Sequence, residues 1–280
     1  MEIPANWTLV ERRHVGPFTT AMVLKRDDGT KVGWSAWHHR KGLGLIDQAA
    51  KIDRSRCRWW APQQLDWWIA VLFMVGSTCF AVGSFPATAS LIGDAAGWVF
   101  FLGSIFFTTA AYLQYYEATN AGSHVEGHGR TRRLIGLQTQ SIGWWATAIQ
   151  LIGTVWFNIN TFNALRDLST RQEEALVWAP DAIGSICFLV ASGLALSEVC
   201  DKLWCWRPKL ITWRIAAINL AGSIAFGISA IGAFVIPETG ELNNATVANA
   251  FTFIGAVMFF IGAALLIPAT CRARSQPSLT

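Results

Sequence analysis

Six long apolar stretches constrain this chain more than any other feature: Trp67 to Phe85, Gly97 to Tyr116, Ile142 to Phe162, Trp178 to Ser197, Ile211 to Ile236 and Val247 to Pro268. A bilayer core about 30 Å thick needs roughly 20 such residues as helix, because lipid offers no partner to backbone N–H and C=O groups. Composition points the same way. Only 14% of the 280 residues are charged, against about a quarter in soluble domains. With 52% apolar residues and no three-residue glycine period, disordered and collagen-like chains are excluded. The expected fold is an all-α membrane protein of six transmembrane helices, with a small cytoplasmic N-terminal segment that contains a β-hairpin. No short apolar run follows a basic start in residues 1–65, so the first span is read as the insertion signal.

Charge sets the expected orientation, since Lys and Arg in short loops stay on the cytoplasmic side. Arg12, Arg13, Lys25, Arg26, Lys31, Arg40, Lys41, Lys51, Arg54, Arg56 and Arg58 precede the first span. Arg130, Arg132 and Arg133, then Lys202, Arg207 and Lys209, then Arg272 and Arg274 follow the even spans. The alternate loops are mainly acidic, with Asp94, then Asp167, Glu173 and Glu174, then Glu238 and Glu241. Both termini are expected in the cytoplasm, and the plasma membrane is the expected location. Trp59, Trp60, Trp67, Trp68, Trp144, Trp145, Trp204, Trp206 and Trp213 fall at inner span ends, and Trp98 and Trp178 at outer ends. That clustering reads as headgroup anchoring.

Each span carries Gly, a small residue, two variable residues and Phe: Gly76-Ser77 with Phe80, Gly103-Ser104 with Phe107, Gly153-Thr154 with Phe157, Gly184-Ser185 with Phe188, Gly222-Ser223 with Phe226, and Gly255-Ala256 with Phe259. The odd spans share a Trp shortly before the Gly, at Trp68, Trp145 and Trp213. The chain therefore reads as three repeated helical hairpins, at 66–118, 141–198 and 211–268. An N-terminal segment at 1–65, linkers at 119–140 and 199–210, and a tail at 269–280 complete the division. A pseudo-threefold ring is the simplest arrangement. Helix packing through the glycines is the plain reading of the motif.

The position three before each Gly is Phe73, Phe100, Gln150, Asp181, Asn219 and Thr252. Intramembrane polar groups usually face the bundle interior or water, so Gln150, Asp181, Asn219 and Thr252 are the solute-binding candidates. They are expected to meet in one water-filled cavity. Two readings are open for Asp181, a solute site or a helix N-terminal charge after Pro180. Gln150 and Asn219 also suit hydrogen bonds between helices. Glu117 and Glu198 each stand fourteen residues after an even-span Gly, where the third hairpin has Ala269. They are candidates for a cytoplasmic mouth or solvated helix-end carboxylates. Asn158 and Asn160 approach the outer end of the third span.

Thr19 to Lys25, a turn around Asp27 to Thr30, and Lys31 to Trp37 read as a β-hairpin. The basic run His38 to Lys41 follows, and Leu43 to Ile52 suits a short amphipathic helix on the inner leaflet. Topology accounts for the basic excess, so nucleic-acid binding is not expected. All five histidines lie outside the spans, which excludes intramembrane bis-histidine haem ligation. His124, Glu126 and His128 make a weak metal pattern, and neither metal nor cofactor is expected. Cys57, Cys79, Cys187, Cys200, Cys205 and Cys271 form no CxxC pair and are expected as free thiols.

The stretches WIAVLFMVGSTCF (Trp68 to Phe80) and VFFLGSIFFTTAAYLQ (Val99 to Gln114) resemble the YrhK-like membrane proteins, bacterial-type domains with paired GS-containing spans. The resemblance covers the first hairpin best. It implies a polytopic membrane protein and carries over no catalytic residues. No Walker loop, nucleophile elbow or HExxH motif is present, and an enzyme is not expected. Two functions suit the pattern: movement of a small solute or ion through the bundle, or a membrane scaffold or accessory subunit whose N-terminal segment binds a protein partner.

Overall fold

The computed structural model describes residues 7–47, 58–121, 132–275 and 278–279. Strand β1 (Thr8–Val15) pairs antiparallel with β2 (Phe18–Lys25), which pairs with β3 (Lys31–Ser35), Val23 facing Gly33. The β2–β3 turn falls where the sequence predicts it, closed by Asp28 Oδ1, which accepts from Thr30 N at 2.8 Å. Strand β1 is an addition. Seven of its eight residues are exposed, so it shows no inward-facing alternation to read.

Two expectations for this segment are corrected. The strand expected to reach Trp37 ends at Ser35, whose Oγ accepts from His38 N and caps helix α1 (Ala36–Arg40). Within Leu43 to Ile52, the expected interfacial helix gives way to β4 (Leu45–Asp47), and residues 48–52 lie outside the described residues. Gly42 and Gly44, at φ +67° and +65°, turn the chain back so that β4 pairs with β3. Strand β5 (Ser278–Leu279) completes the order β1-β2-β3-β4-β5.

The helices that follow are α2 (Leu65–Ser84), α3 (Pro86–Ile92), α4 (Ala96–Thr119), α5 (Ile142–Asn163), α6 (Thr170–Glu173), α7 (Ala179–Cys200), α8 (Ile211–Gly232) and α9 (Ala245–Arg274). Five helical stretches are long and apolar enough to cross a membrane: Leu65–Ser84, Pro86–Thr119, Thr170–Cys200, Ile211–Gly232 and Ala245–Arg274. They fit a membrane-embedded protein. Helix α5 fills the third expected stretch but is not among the five; Gln150, Asn158 and Asn160 dilute its apolar content.

Two helix ends differ from expectation. Helix α9 runs through Pro268 to Arg274, where the sequence predicts an end. Proline removes the N–H that would bond the Ala264 carbonyl, and one turn on Thr270 Oγ1 donates to the Leu266 and Ile267 carbonyls. Before α7, a π-helical turn (Glu174–Trp178) joins α6 to α7, so the fourth helix begins well before Trp178.

Helices α2, α4, α5, α7, α8 and α9 form a closed ring in which each packs on its chain neighbours and α9 returns to α2. The motif glycines face partner helices. A Cβ on Gly76 would stand 2.6 Å from Phe107 and 3.0 Å from the Gly103 carbonyl. Gly184 meets Phe157 and the Gly153 carbonyl, and Gly255 meets Phe226 and the Gly222 carbonyl, in the same way. Backbones this close leave no room for a side chain. The small residues Ser77, Ser104, Thr154, Ser185, Ser223 and Ala256 are buried, none more than 2% exposed.

The six motif phenylalanines meet on the ring axis in two layers. Phe80, Phe157 and Phe226 form a triangle with centroids 5.7 to 6.2 Å apart, mostly edge to face. Beneath them Phe259 lies 6.0 Å from Phe107 and 5.9 Å from Phe188. Residues at +4 separate into two levels because alternate helices run in opposite directions.

Indole donors fix the loops at the sheet end. Trp67, Trp144 and Trp213 each donate Nε1–H to the carbonyl eight residues earlier, at Trp59, Gly136 and Cys205. The next residues, Trp68, Trp145 and Arg214, reach back six, to Pro62, Thr139 and Pro208. Trp144 and Trp213 are thus buried pins rather than headgroup anchors, while Trp59, Trp60, Trp98, Trp204 and Trp206 are exposed. The free-thiol expectation holds for Cys79 and Cys187 but not for Cys200, Cys205 or Cys271. Asp201, at φ +57°, turns the chain so that Cys200 and Cys205 come to 5.4 Å between Cα atoms and are disulfide-bonded; Cys271 is also in a disulfide. Cys57 lies outside the described residues.

Candidate functional site

At the end of the ring away from the sheet, a cavity of about 490 Å³ descends to Phe80, Phe157 and Phe226. Its polar wall comes from matched positions on paired helices. Antiparallel packing sets the residue seven after an odd-helix glycine level with the residue three before an even-helix glycine. In the second pair these are Asn160 and Asp181, which line the cavity together, an amide beside a carboxylate. In the third they are Ser229 and Thr252, hydroxyls 2.7 Å apart. In the first, Phe100 lies over Gly83 with no room for a Cβ there, and that side is apolar. Asn249 adds a further amide, and Arg166 and Glu173 stand among the lining residues.

Asp181 does not begin a helix. The π turn carries helical structure upstream of it, which removes the helix-terminus reading, and Glu173, Val177 and Trp178 from that turn and its flank line the same cavity. Single π turns inside helices are common at functional sites. Trp178 Nε1 donates to the Ala230 carbonyl at 2.9 Å and ties the turn to α8.

The four solute-binding candidates do not line one cavity. Asp181 and Thr252 line the far-end cavity, whereas Gln150 and Asn219 line a separate space of about 60 Å³ with Gln114, on the other side of the phenylalanine layers. Helix direction explains the split: three residues before the glycine points toward the sheet end in an odd helix and away from it in an even one. Asn219 occupies a notch in α9, where a Cβ on Gly262 would overlap its side-chain oxygen. Asn160, Asn249, Arg166 and Glu173 are lining residues outside the candidate set. The first was signalled by the glycine stripe extended one step to +7; the others carry no such spacing. Asn158 instead donates to Thr108 Oγ1 across the α4–α5 interface.

The sheet end is closed by charge. Lys41, the C-cap of α1, donates to Asp66 and to Glu117, both at 2.6 Å. Arg274 reaches the other Asp66 oxygen at 2.7 Å, and Arg40 pairs with Glu198 at 2.9 Å. Asp66 and Glu198 side chains are 1% and 2% exposed. Glu117 and Glu198 are therefore not solvated carboxylates; two consecutive cations from the N-terminal segment cap them. Gly143 makes room for the second, since a Cβ there would overlap the Arg40 guanidinium. Burial opposes the charge on Lys41, but its two carboxylate partners prevail and hold its pKa above the usual lysine value. Asp201 fastens the sheet, accepting from Thr20 Oγ1 at 2.8 Å and pairing with Arg13 at 3.3 Å. His124, Glu126 and His128 lie outside the described residues.

No curated protein and no solved structure matches the chain. Residues 61–118, which hold α2 and α4 with Gly76, Gly103, Asp66 and Glu117, match the family model described as YrhK-like protein, so this part of the chain is similar to that family.

Proposed function

We propose that the chain is a six-span membrane protein built from three copies of one helical hairpin, and that it takes a small solute bearing a positive charge into the far-end cavity for transport, with no catalytic step. The cavity carries the reading. Asp181 and Glu173 against Arg166 leave its wall with an excess of one negative charge among the described residues, beside amides and hydroxyls suited to ammonium donors. The ring is closed below this space by the phenyl layers and at the sheet end by the Arg40 and Lys41 pairs, as in an outward-open resting state. Support for three copies comes from the three glycine pairs and from tryptophans reaching eight residues back at Trp67, Trp144 and Trp213.

The test is counterflow of radiolabelled small amines in proteoliposomes. Uptake above protein-free vesicles is expected, with loss of at least tenfold in Asp181→Asn while its thermal transition stays near wild type. Absence of uptake for every amine, or unchanged uptake in Asp181→Asn, would sink the reading. The scaffold alternative draws on the anchored five-stranded sheet, whose β1 is largely exposed; it calls for a protein that co-purifies with wild type and is lost when β1 is altered. Orientation is proposed from the basic excess at the sheet end, with both termini cytoplasmic. The Cys200–Cys205 bridge at that end favours an oxidising compartment instead, so side-selective maleimide labelling after reduction decides between them.

A further inference from the structure

A second cavity, of about 350 Å³, lies between the N-terminal sheet and the start of α5. It is separate from the amine site and does not depend on it. We infer that this cleft binds a phosphate-type anion. Arg12 enters from β1, Trp34 from β3 and Arg40 from α1, with Gln138, Gln140 and Ser141 leading into α5. Among the described residues its wall includes no aspartate or glutamate. It is a space rich in donors and without a carboxylate.

Two observations point to a missing acceptor. Trp34 Nε1 is buried and has no hydrogen-bond partner. A buried donor left unmade costs about 1 to 3 kcal/mol, and the residue that carries it is one of those lining the cleft. Arg12 makes no ion pair among the described residues, although Arg13 beside it pairs with both Glu11 and Asp201. Arg40 uses one terminal nitrogen on Glu198, and the rest of its fork remains. Guanidinium and N–H donors converging from three elements match the several oxygens of a phosphate group rather than a single carbonyl. At the α5 start the Ser141 N–H is taken by the Gln138 carbonyl, that of Trp144 by Ser141 Oγ and that of Trp145 by the Ser141 carbonyl, which leaves the N–H groups of Ile142 and Gly143.

A free phosphate and a lipid phosphate headgroup present the same oxygens, and the experiment separates them. Full-length protein in phosphatidylcholine nanodiscs is titrated with inorganic pyrophosphate by calorimetry. In parallel, purified protein is assayed for preferential retention of phosphatidic acid over phosphatidylcholine. Saturable pyrophosphate binding assigns the cleft to a soluble anion, and retention of phosphatidic acid alone assigns it to a headgroup. Either supports the inference if Arg12→Gln and Gln140→Glu each weaken the effect about tenfold, the scale of one lost charged hydrogen bond. Both positions are exposed, so folding is preserved, and Arg132→Gln, exposed and outside the cleft, is the control expected to match wild type. Failure of both probes to bind overturns the inference, as does binding that Arg132→Gln weakens as much as Arg12→Gln.

Discussion

At the sheet end of the ring, Asp66, Glu117 and Glu198 are each neutralised by a cation brought from another part of the chain; at the far end, Asp181 faces a cavity with an amide beside it. The helices supply carboxylates at both ends. What differs is the connecting chain, since the N-terminal segment and the α9 extension deliver Arg40, Lys41 and Arg274 to one end only. Closure here is a property of the additions to the helix ring. The sheet end is therefore expected to respond to its charges through stability, and the far end through binding.

The largest effect should follow Asp66→Ala, which leaves the buried Lys41 with Glu117 alone and takes from Arg274 its carboxylate partner. Removing one partner of a buried ion pair costs about 3 to 5 kcal/mol, seen as an early thermal transition and faster proteolysis of the sheet. Asp181→Asn should stay within about 1 kcal/mol, as for a cavity-facing change without lost packing. Equal destabilisation by both would erase the contrast between the ends.

Acid should act next, through His38. Burial lowers its pKa from 6.5 to about 4, and Ser35 Oγ lies 2.7 Å from its Nδ1. Below pH 6.5 the unfolded chain takes up a proton that the folded chain refuses until about pH 4. Stability then falls across that interval, by on the order of 2 to 3 kcal/mol, and levels off beneath it. Melting curves of wild type and His38→Gln between pH 7 and 4 should diverge, with the steeper decline in wild type.

The smallest effect sharpens the comparison between hairpins. Ser192 Oγ donates to Ser223 at 3.0 Å across α7–α8, and the residue at the same distance past the α9 glycine is Ala263. Ser77, in the position of Ser223, has a buried hydroxyl without a partner. Ala263→Ser should supply one and raise stability by about 1 kcal/mol. A loss instead would count against equivalence of the hairpins.

The helix-to-helix features were legible because they are local. Six glycines with a phenylalanine at +4 give the packing stripe, and its extension to +7 would have paired Asn160 with Asp181. Helix direction was the missing step that separated Gln150 and Asn219 from Asp181 and Thr252. The closure at the sheet end had no local signal: Lys41 meets Asp66 and Glu117 at separations of 25 and 76 residues, and Arg40 meets Glu198 at 158. In sequence, His38 to Lys41 is only a basic run. Strand β1 escaped for a related reason, since an exposed edge strand lacks the alternation that burial imposes.

The phenyl layers would have an electrical consequence under the proposed transport function. With the far-end cavity filled by water down to Phe80, Phe157 and Phe226, the transmembrane voltage would fall across the half of the ring between those phenyl groups and the ion pairs of the sheet end. A cation resting at Asp181 would not yet have entered that drop, so its binding would be nearly indifferent to voltage. Passage on to the sheet end would carry almost the full field, worth about 2.3 kcal/mol per charge for each 100 mV.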